Sequence, residues 1–318
     1  NQTKALLQDM DNRFEELTNI LLYNTLDFDF ICESLLKDQY KETESGFMVE
    51  KMNYDVIILP ALETIRSTTL NAISSFIKRG GKVIVMDGGF AAEKDYLRGF
   101  IDALGGKVDA WIISHPHDDH ITALIALLEN PNGLKIDKVY HSCFPDVLID
   151  AESAETGAIT RKLYSLLDNA VDMEVTDCHC GDEFEIDGVH FKILSEKNPE
   201  MANRNPYNNS SMALKMWDEK KSFIFLGDLG AEGGQKLLDS EYAKDLECDY
   251  LQMAHHGQDG CDKHFYESVK FRACLWPSPK WVYNAPLGRL KTAEVREWMK
   301  ELGITEHYVS NEGLARIE

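Results

Sequence analysis

Apolar positions along this chain fall into short runs separated by polar turns, and their spacing predicts alternating strands and helices. Leu7, Met10, Phe14, Leu17 and Leu21 recur every three or four residues, which predicts an amphipathic helix near the start. Tyr54 to Leu59 reads as a buried strand ended by Pro60, residues 63–79 as a helix stopped at Gly80-Gly81, and Lys82 to Met86 as a second strand. Strand, helix, strand at this spacing makes a βαβ unit with parallel strands. Val108 to Ile113 predicts another buried strand, and Ile121 to Leu128 a helix. Lys138-Val139-Tyr140 is a short strand and residues 151–168 suit a helix. Phe184 to Leu194 reads as a hairpin turning at Asp187-Gly188. Met212 to Trp217 and Ser222 to Leu226 pair across a polar turn, Tyr250 to Ala254 and Ala273 to Trp276 are further strands, and residues 291–302 form a late helix. The set predicts two sheets packed face to face with helices outside.

Between the strand at 108–113 and the helix that follows lies Ser114-His115-Pro116-His117-Asp118-Asp119-His120. In extended backbone His115 and His117 point to the same side, and Asp119 and His120 follow in the turn. Imidazoles crowded in this way repel once protonated unless a cation organises them, and the mix of nitrogen and oxygen donors suits a divalent metal such as zinc. Two later segments offer more donors. Gly227-Asp228 sets a carboxylate just past a strand, where Gly227 allows close backbone approach; the plainer reading is an ordinary turn. Ala254-His255-His256-Gly257 follows another apolar strand. Adjacent side chains of a strand face opposite ways, so one of His255 and His256 binds metal and the other is free to touch substrate or protonate a leaving group.

His115-x-His117-x-Asp119-His120 resembles the His-x-His-x-Asp-His signature of the metallo-β-lactamase superfamily, and the likeness runs from Asp87-Gly88-Gly89 nearly to the C-terminus. The resemblance implies an α/β fold of the metallo-β-lactamase-type αββα sandwich, with Asp228 bridging two divalent metals, expected to be zinc with manganese or iron as alternatives. Most members carry a further histidine upstream of the bridging aspartate. This chain has Asn205-Pro206-Tyr207-Asn208-Asn209-Ser210-Ser211 there. Asn-x-Ser, then Gly-Asp, then His-His-Gly is similar to the metallo-hydrolase domain of bacterial DNA-uptake (competence) proteins, with phosphorylcholine esterases as more distant likenesses. Either the metal of His115 and His117 has an open position, or Asn209 reaches it, with His141 as a spare candidate. Tyr54 to Val85, through Phe76-Ile77-Lys78-Arg79-Gly80-Gly81-Lys82-Val83-Ile84-Val85, resembles the end of a glutamine-amidotransferase-like, flavodoxin-like α/β domain, although no nucleophilic cysteine sits at a strand-to-helix elbow. The expected division is therefore an α/β segment over residues 1–80 and a hydrolase domain over 81–318.

The chemistry implied is hydrolysis: a divalent pair lowers the pKa of bound water to about 7, and the resemblance favours a small phosphodiester or related ester. Asp119 and His255 are the candidate catalytic groups. Trp276-Pro277-Ser278-Pro279-Lys280-Trp281 is an aromatic loop in which Trp276 and Trp281 are candidates to stack on a ring or cup a trimethylammonium group. The competing reading is a non-catalytic metal- or ligand-binding sensory module on the same fold, and a third is a nuclease. Charge bears on the third: of 318 residues 54 are acidic and 33 basic, a net charge of −21, whereas proteins that grip nucleic acid carry basic stripes. A small-molecule substrate is expected, and no membrane partner, since no apolar run is long enough to span a bilayer. Seven cysteines without framework spacing suggest reduced thiols and a cytoplasmic location, a removed targeting segment staying open. Cys178-His179-Cys180 reads as an ordinary loop.

Overall fold

The protein is described from a computed structural model that covers residues 82–310 continuously, together with residues 36, 38–41, 47–54, 68, 72, 73 and 75. The chain divides into two compact units: residues 1–81 with 103–105, and residues 82–102 with 106–318.

In the first unit three short strands, β1 (Tyr40–Lys41), β2 (Phe47–Val49) and β3 (Met52–Tyr54), form an antiparallel sheet in the order β1-β2-β3. Phe47 and Val49 are buried on one face while Met48 between them is not, the period-two pattern of a half-buried strand. These strands were not legible in the sequence, because three residues are too few for alternation to stand out. The expected helix at Leu7–Leu21, nearly all of the strand Tyr54–Leu59, and most of the helix 63–79 lie outside the described residues, and with them the βαβ and amidotransferase-like readings.

The second unit is the layered sandwich expected. One sheet has four parallel strands in the order β4-β6-β8-β9: β4 (Ile84–Met86), β6 (Ala110–Ile112), β8 (Lys138–His141) and β9 (Glu174–Asp177). Beside it β5 (Lys107–Val108) pairs with β7 (Lys135–Ile136), so the single strand read over 108–113 is two. Asp109 marks the break, its amide bonded to the Val83 carbonyl. The second sheet has seven strands in the order β10 to β16: β10 (Glu183–Ile186), β11 (Val189–Ile193), β12 (Leu214–Trp217), β13 (Ser222–Phe225), β14 (Tyr250–Gln252), β15 (Ala273–Trp276) and β16 (Glu306–Val309). It is antiparallel from β10 to β13 and parallel from β13 to β16. The expected hairpin turns at Asp187-Gly188, both with positive φ.

Side-chain alternation explains the layering. Ala110 and Ile112 of β6 face Phe191, Ile193 and Leu214 of the other sheet, whereas Trp111 and Ile113 face Ile121, Leu124 and Leu163 of the outer helices Asp118–Glu129 and Ala154–Asp168. Ile224 and Leu251 turn the other way, onto Leu237, Phe265, Val295 and Met299 of the helices Ala231–Leu238, Lys263–Ser268 and Thr292–Glu301. No described helix is long and apolar enough to cross a membrane.

Candidate metal centre

Four segments that leave the C-terminal ends of strands converge at one edge of the second unit. After β4, Asp87 has φ 54 and turns its carboxylate under the histidine loop. Its Oδ1 accepts from the Ser114 amide at 2.7 Å, and its Oδ2 accepts from the Ser114 hydroxyl and from Nδ1 of His120, both at 2.8 Å. After β6 come His115 and His117, His117 being the extended residue that precedes the helix Asp118–Glu129. That helix starts earlier than expected, so Asp119 and His120 sit in its first turn instead of in a loop. After β13, Gly227 takes φ 55; a side chain there would meet the Ser114 Cβ at 2.7 Å, so the residue lets Asp228 reach the histidines. After β14 come His255 and His256.

The donor atoms gather into two groups, each with all its ligand atoms within 4.8 Å of one another: His115, His117 and Asp228, and Asp119, His120, Asp228 and His256. Asp228 is common to both. Nε2 of His115 and Nδ1 of His117 are 2.9 Å apart, close to the separation of about 3 Å that two nitrogen ligands on one zinc adopt. Oδ2 of Asp228 stands 3.3 Å from Nε2 of His120 and 3.9 Å from Nε2 of His115. Nε2 of His256 is 3.1 Å from Oδ2 of Asp119.

These residues fit a divalent metal. Asp228 is 1% exposed and its Oδ1 makes no hydrogen bond among the described residues, nor does Nε2 of His120. A buried carboxylate oxygen and a buried imidazole nitrogen left without partners are costly, and a cation between them removes the cost. The charge pattern agrees. Burial alone would raise the Asp228 carboxyl, but the His120 charge beside it holds it well below the usual carboxylate range. Burial likewise opposes charge on His120, yet the carboxylates of Asp228 and Asp87 push it well above the usual histidine value. Burial, with His120 close by, drives His115 well below it, so that ring is neutral and its lone pair available. Asp119 stays low despite burial because His256 bonds it.

The histidine pair does not lie on a strand as expected. Strand β14 ends at Gln252, and His255 and His256 occupy a turn with φ 51 and 56. In that left-handed backbone both rings turn inward, and each Nε2 is 3.6 Å from Oδ2 of Asp228. His256 Nδ1 lies 2.8 Å from the Pro277 carbonyl and His255 Nδ1 3.2 Å from the Asp259 carbonyl, so each is fixed as the donor tautomer with Nε2 facing the site. His256 joins a donor group; His255 falls outside both.

Asn209 does not reach the centre. Its side chain is wholly buried, its Oδ1 accepts from the Gly233 amide at 2.9 Å, and its Nδ2 donates to the Arg204 carbonyl and to Glu232, tying the helix Ala231–Leu238 to the preceding turn. The neighbouring Asn208 is the one that touches the site: its Nδ2 is 3.5 Å from Nδ1 of His255, and its Oδ1 is buried without a partner. His141 is also away from the donors. It is buried beside Tyr164 and Asp177, and burial pushes it down to about 4. Trp276 is core, 1% exposed, its indole N–H donated to His307, with its ring under Gly257; it props the histidine turn and offers no open face. Trp281 is 61% exposed on the short helix Lys280–Tyr283. Sequence reasoning missed the orienting role of Asp87, the contact of Asn208, and Glu152, whose carboxylate lies 3.7 Å from Nε2 of His117. Of these only Asp87 had a visible signal, the Asp-Gly-Gly turn.

Residues 68–136, which include the histidine loop, match the family model of the metallo-beta-lactamase superfamily. ComE operon protein 3 of Bacillus subtilis is 29% identical over 172 residues, covering 54% of this chain and 20% of that protein. The chain thus spans a fifth of the length of the curated relative it matches. Among solved structures, the metallo-beta-lactamase fold protein YhfI of Bacillus subtilis is 12% identical with a TM-score of 0.44, covering 71% of this chain and 83% of that one. A Cronobacter sakazakii metallo-beta-lactamase with a HARLDQ motif is 19% identical with a TM-score of 0.32, covering 48% of this chain and 57% of that one. The family match falls on residues 68–136, over the histidine loop, and ComE operon protein 3 of Bacillus subtilis agrees with the likeness to competence proteins read from the motifs.

Proposed function

We propose that this chain is a metal-dependent hydrolase acting on a small phosphodiester or related ester. The observation that carries the reading is Asp228: a wholly buried carboxylate with one oxygen unpartnered, shared by two convergent donor groups. His115, His117 and Asp228 would hold one divalent ion, and Asp119, His120, Asp228 and His256 the other, zinc being the first candidate with manganese or iron as alternatives. When bound, such a pair supplies Lewis acidity and an activated water at neutral pH. Asp119, the more exposed ligand carboxylate, takes up the proton released on the attacking side. His255, outside both groups with its Nδ1–H held on the Asp259 carbonyl, presents an unprotonated Nε2 that would first accept a proton at the site and then pass it to the leaving group. Trp281 forms an outer wall for the substrate beside the loop whose Pro277 carbonyl holds His256.

The net charge of −21 favours a small substrate over a polynucleotide, which separates this reading from a nuclease. All six described cysteines are free, in keeping with a reducing, cytoplasmic setting. The test is a panel of chromogenic substrates (a phosphodiester, a phosphomonoester, a carboxylic ester and a lactam) offered to protein loaded in turn with zinc and manganese. Turnover of the phosphodiester above the others supports the reading. Bound metal with no turnover of any substrate sinks it in favour of a binding module, the reading that the asparagine in place of the upstream histidine also suggests.

A further inference from the structure

Strands β13 and β14 run parallel, pairing Phe223 with Tyr250 and Ile224 with Leu251, and the pairing stops there. Beyond it the two chain segments part, one towards Asp228 and the other towards His255 and His256. One side chain spans the gap. Gln252, buried at the end of β14, accepts the Leu226 amide on its Oε1 at 2.7 Å. Its Nε2 donates to the Gly227 carbonyl at 3.0 Å and to the Met253 carbonyl at 2.9 Å. These partners fix which way the amide points: the Leu226 N–H needs the oxygen, and the two carbonyls need the two N–H bonds of Nε2. The Gly227 carbonyl also accepts the His255 amide at 3.0 Å. Leu226 and Met253 are wholly buried, so solvent does not stand in for these bonds. Backbone groups stranded in such a place are costly, and the segments that carry them shift until they find partners.

We propose that Gln252 is a positioning residue that fixes the spacing between Asp228 and the His255–His256 turn. The inference rests on the metal-centre reading above and adds the side chain that sets its geometry. Gln252 bonds only to backbone and to no donor atom. It acts on Gly227, the residue before Asp228, where the chain takes φ 55, and on Met253, just ahead of the histidine turn. Nε2 of each histidine is 3.6 Å from Oδ2 of Asp228. Metal–ligand distances are held to within about 0.2 Å, so a slip of a few tenths of an ångström between the two strand ends is enough to unsettle the donors.

The experiment titrates the metal-free full chain with cobalt and compares affinity and the visible spectrum of the bound ion, which reports its ligand geometry. Urea unfolding and phosphodiester turnover are measured on the same samples. Gln252→Met keeps the length of the side chain and removes all three bonds. Ile224→Val loosens the buried core of β13 and leaves the bridge intact, so it controls for stability alone. The expected result for Gln252→Met is weaker cobalt binding, on the order of tenfold or more, with a changed spectrum. Ile224→Val should keep the parent's affinity and spectrum at a lower unfolding midpoint. Parent affinity and spectrum in Gln252→Met overturn the proposal. So does an Ile224→Val variant that changes both as far as Gln252→Met does, because the bridge would then only hold the sheet. If Gln252→Met fails to fold, Gln252→Glu decides: it keeps an acceptor for Leu226 but turns an oxygen towards the two carbonyls. A changed cobalt spectrum in that variant supports the proposal, and the parent's spectrum overturns it. A parent chain that binds no cobalt removes the metal centre and this inference with it, whereas one that binds cobalt and hydrolyses nothing counts against the hydrolase reading alone.

Discussion

Asp87 accepts a 2.8 Å hydrogen bond from Nδ1 of His120, and that bond aims the opposite nitrogen of the ring, Nε2, at Asp228 3.3 Å away. A carboxylate that holds a ligating imidazole by its far nitrogen fixes both tautomer and orientation and makes the ring more basic. Asp87→Asn keeps the shape of the side chain but offers His120 a neutral partner. It should lower metal affinity by about 10–100-fold. Competition against a chromogenic zinc chelator reads the change, and an affinity equal to the parent's would show that Asp87 only shapes the turn.

Glu152 stands in the same relation to His117, but at 3.7 Å from Nε2 and at the edge of solvent. Its effect should be smaller. Glu152→Gln is expected to weaken the metal position of His115 and His117 less than Asp87→Asn weakens that of His120, in the same competition assay. The reverse order would contradict the geometry.

Gly257 closes the histidine turn with φ +79, and a Cβ there would stand 2.4 Å from the Trp276 ring. Gly257→Ala must therefore push on a fully buried indole and strain the backbone. The expected cost is about 1–3 kcal/mol in unfolding free energy, with metal affinity falling because His256 moves. Chemical denaturation followed by intrinsic fluorescence measures the first. A variant as stable as the parent would mean that the turn relaxes freely and that Trp276 does not support it.

His141 gives a pH-dependent stability outside the metal centre. Burial holds it at about 4 in the folded chain, against 6.5 as the ordinary value. Between those values the unfolded chain binds the extra proton, so its contribution is fully present above pH 6.5 and is lost as pH falls towards 4. The gap is worth on the order of 3 kcal/mol. His141→Gln should therefore lose less stability than the parent between pH 7.5 and pH 4.5 in urea unfolding. Parallel losses in the two proteins would contradict the burial argument.

Much of the candidate centre could be read from the chain because its donor residues sit where apolar runs end. His115, His117, Asp119 and His120 are contiguous, and Asp228 and His256 each follow a strand marked by its own hydrophobicity. What could not be read depends on backbone conformation or on distant partners. The two adjacent histidines were assigned strand geometry, whereas φ values of 51 and 56 bring both rings inward. Asn208 and Asn209 are indistinguishable as letters; only the three-dimensional turn shows that Asn209 spends its amide on Arg204, Glu232 and Gly233 while Asn208 faces His255. Trp276 ends β15 and Trp281 lies on the helix Lys280–Tyr283, and burial at 1% against exposure at 61% separates a core prop from a surface side chain. The layers of the second unit were legible because β6 alternates cleanly between Ala110 and Ile112 on one side and Trp111 and Ile113 on the other.

The central claim is that Asp228 joins two metal positions into one hydrolytic centre. The most direct test compares the parent and Asp228→Asn, each equilibrated with zinc or manganese, for metal content and for initial hydrolysis of a chromogenic phosphodiester. The account predicts two metals and turnover in the parent, with both reduced in a folded Asp228→Asn variant. Turnover and metal content that survive the substitution would contradict it.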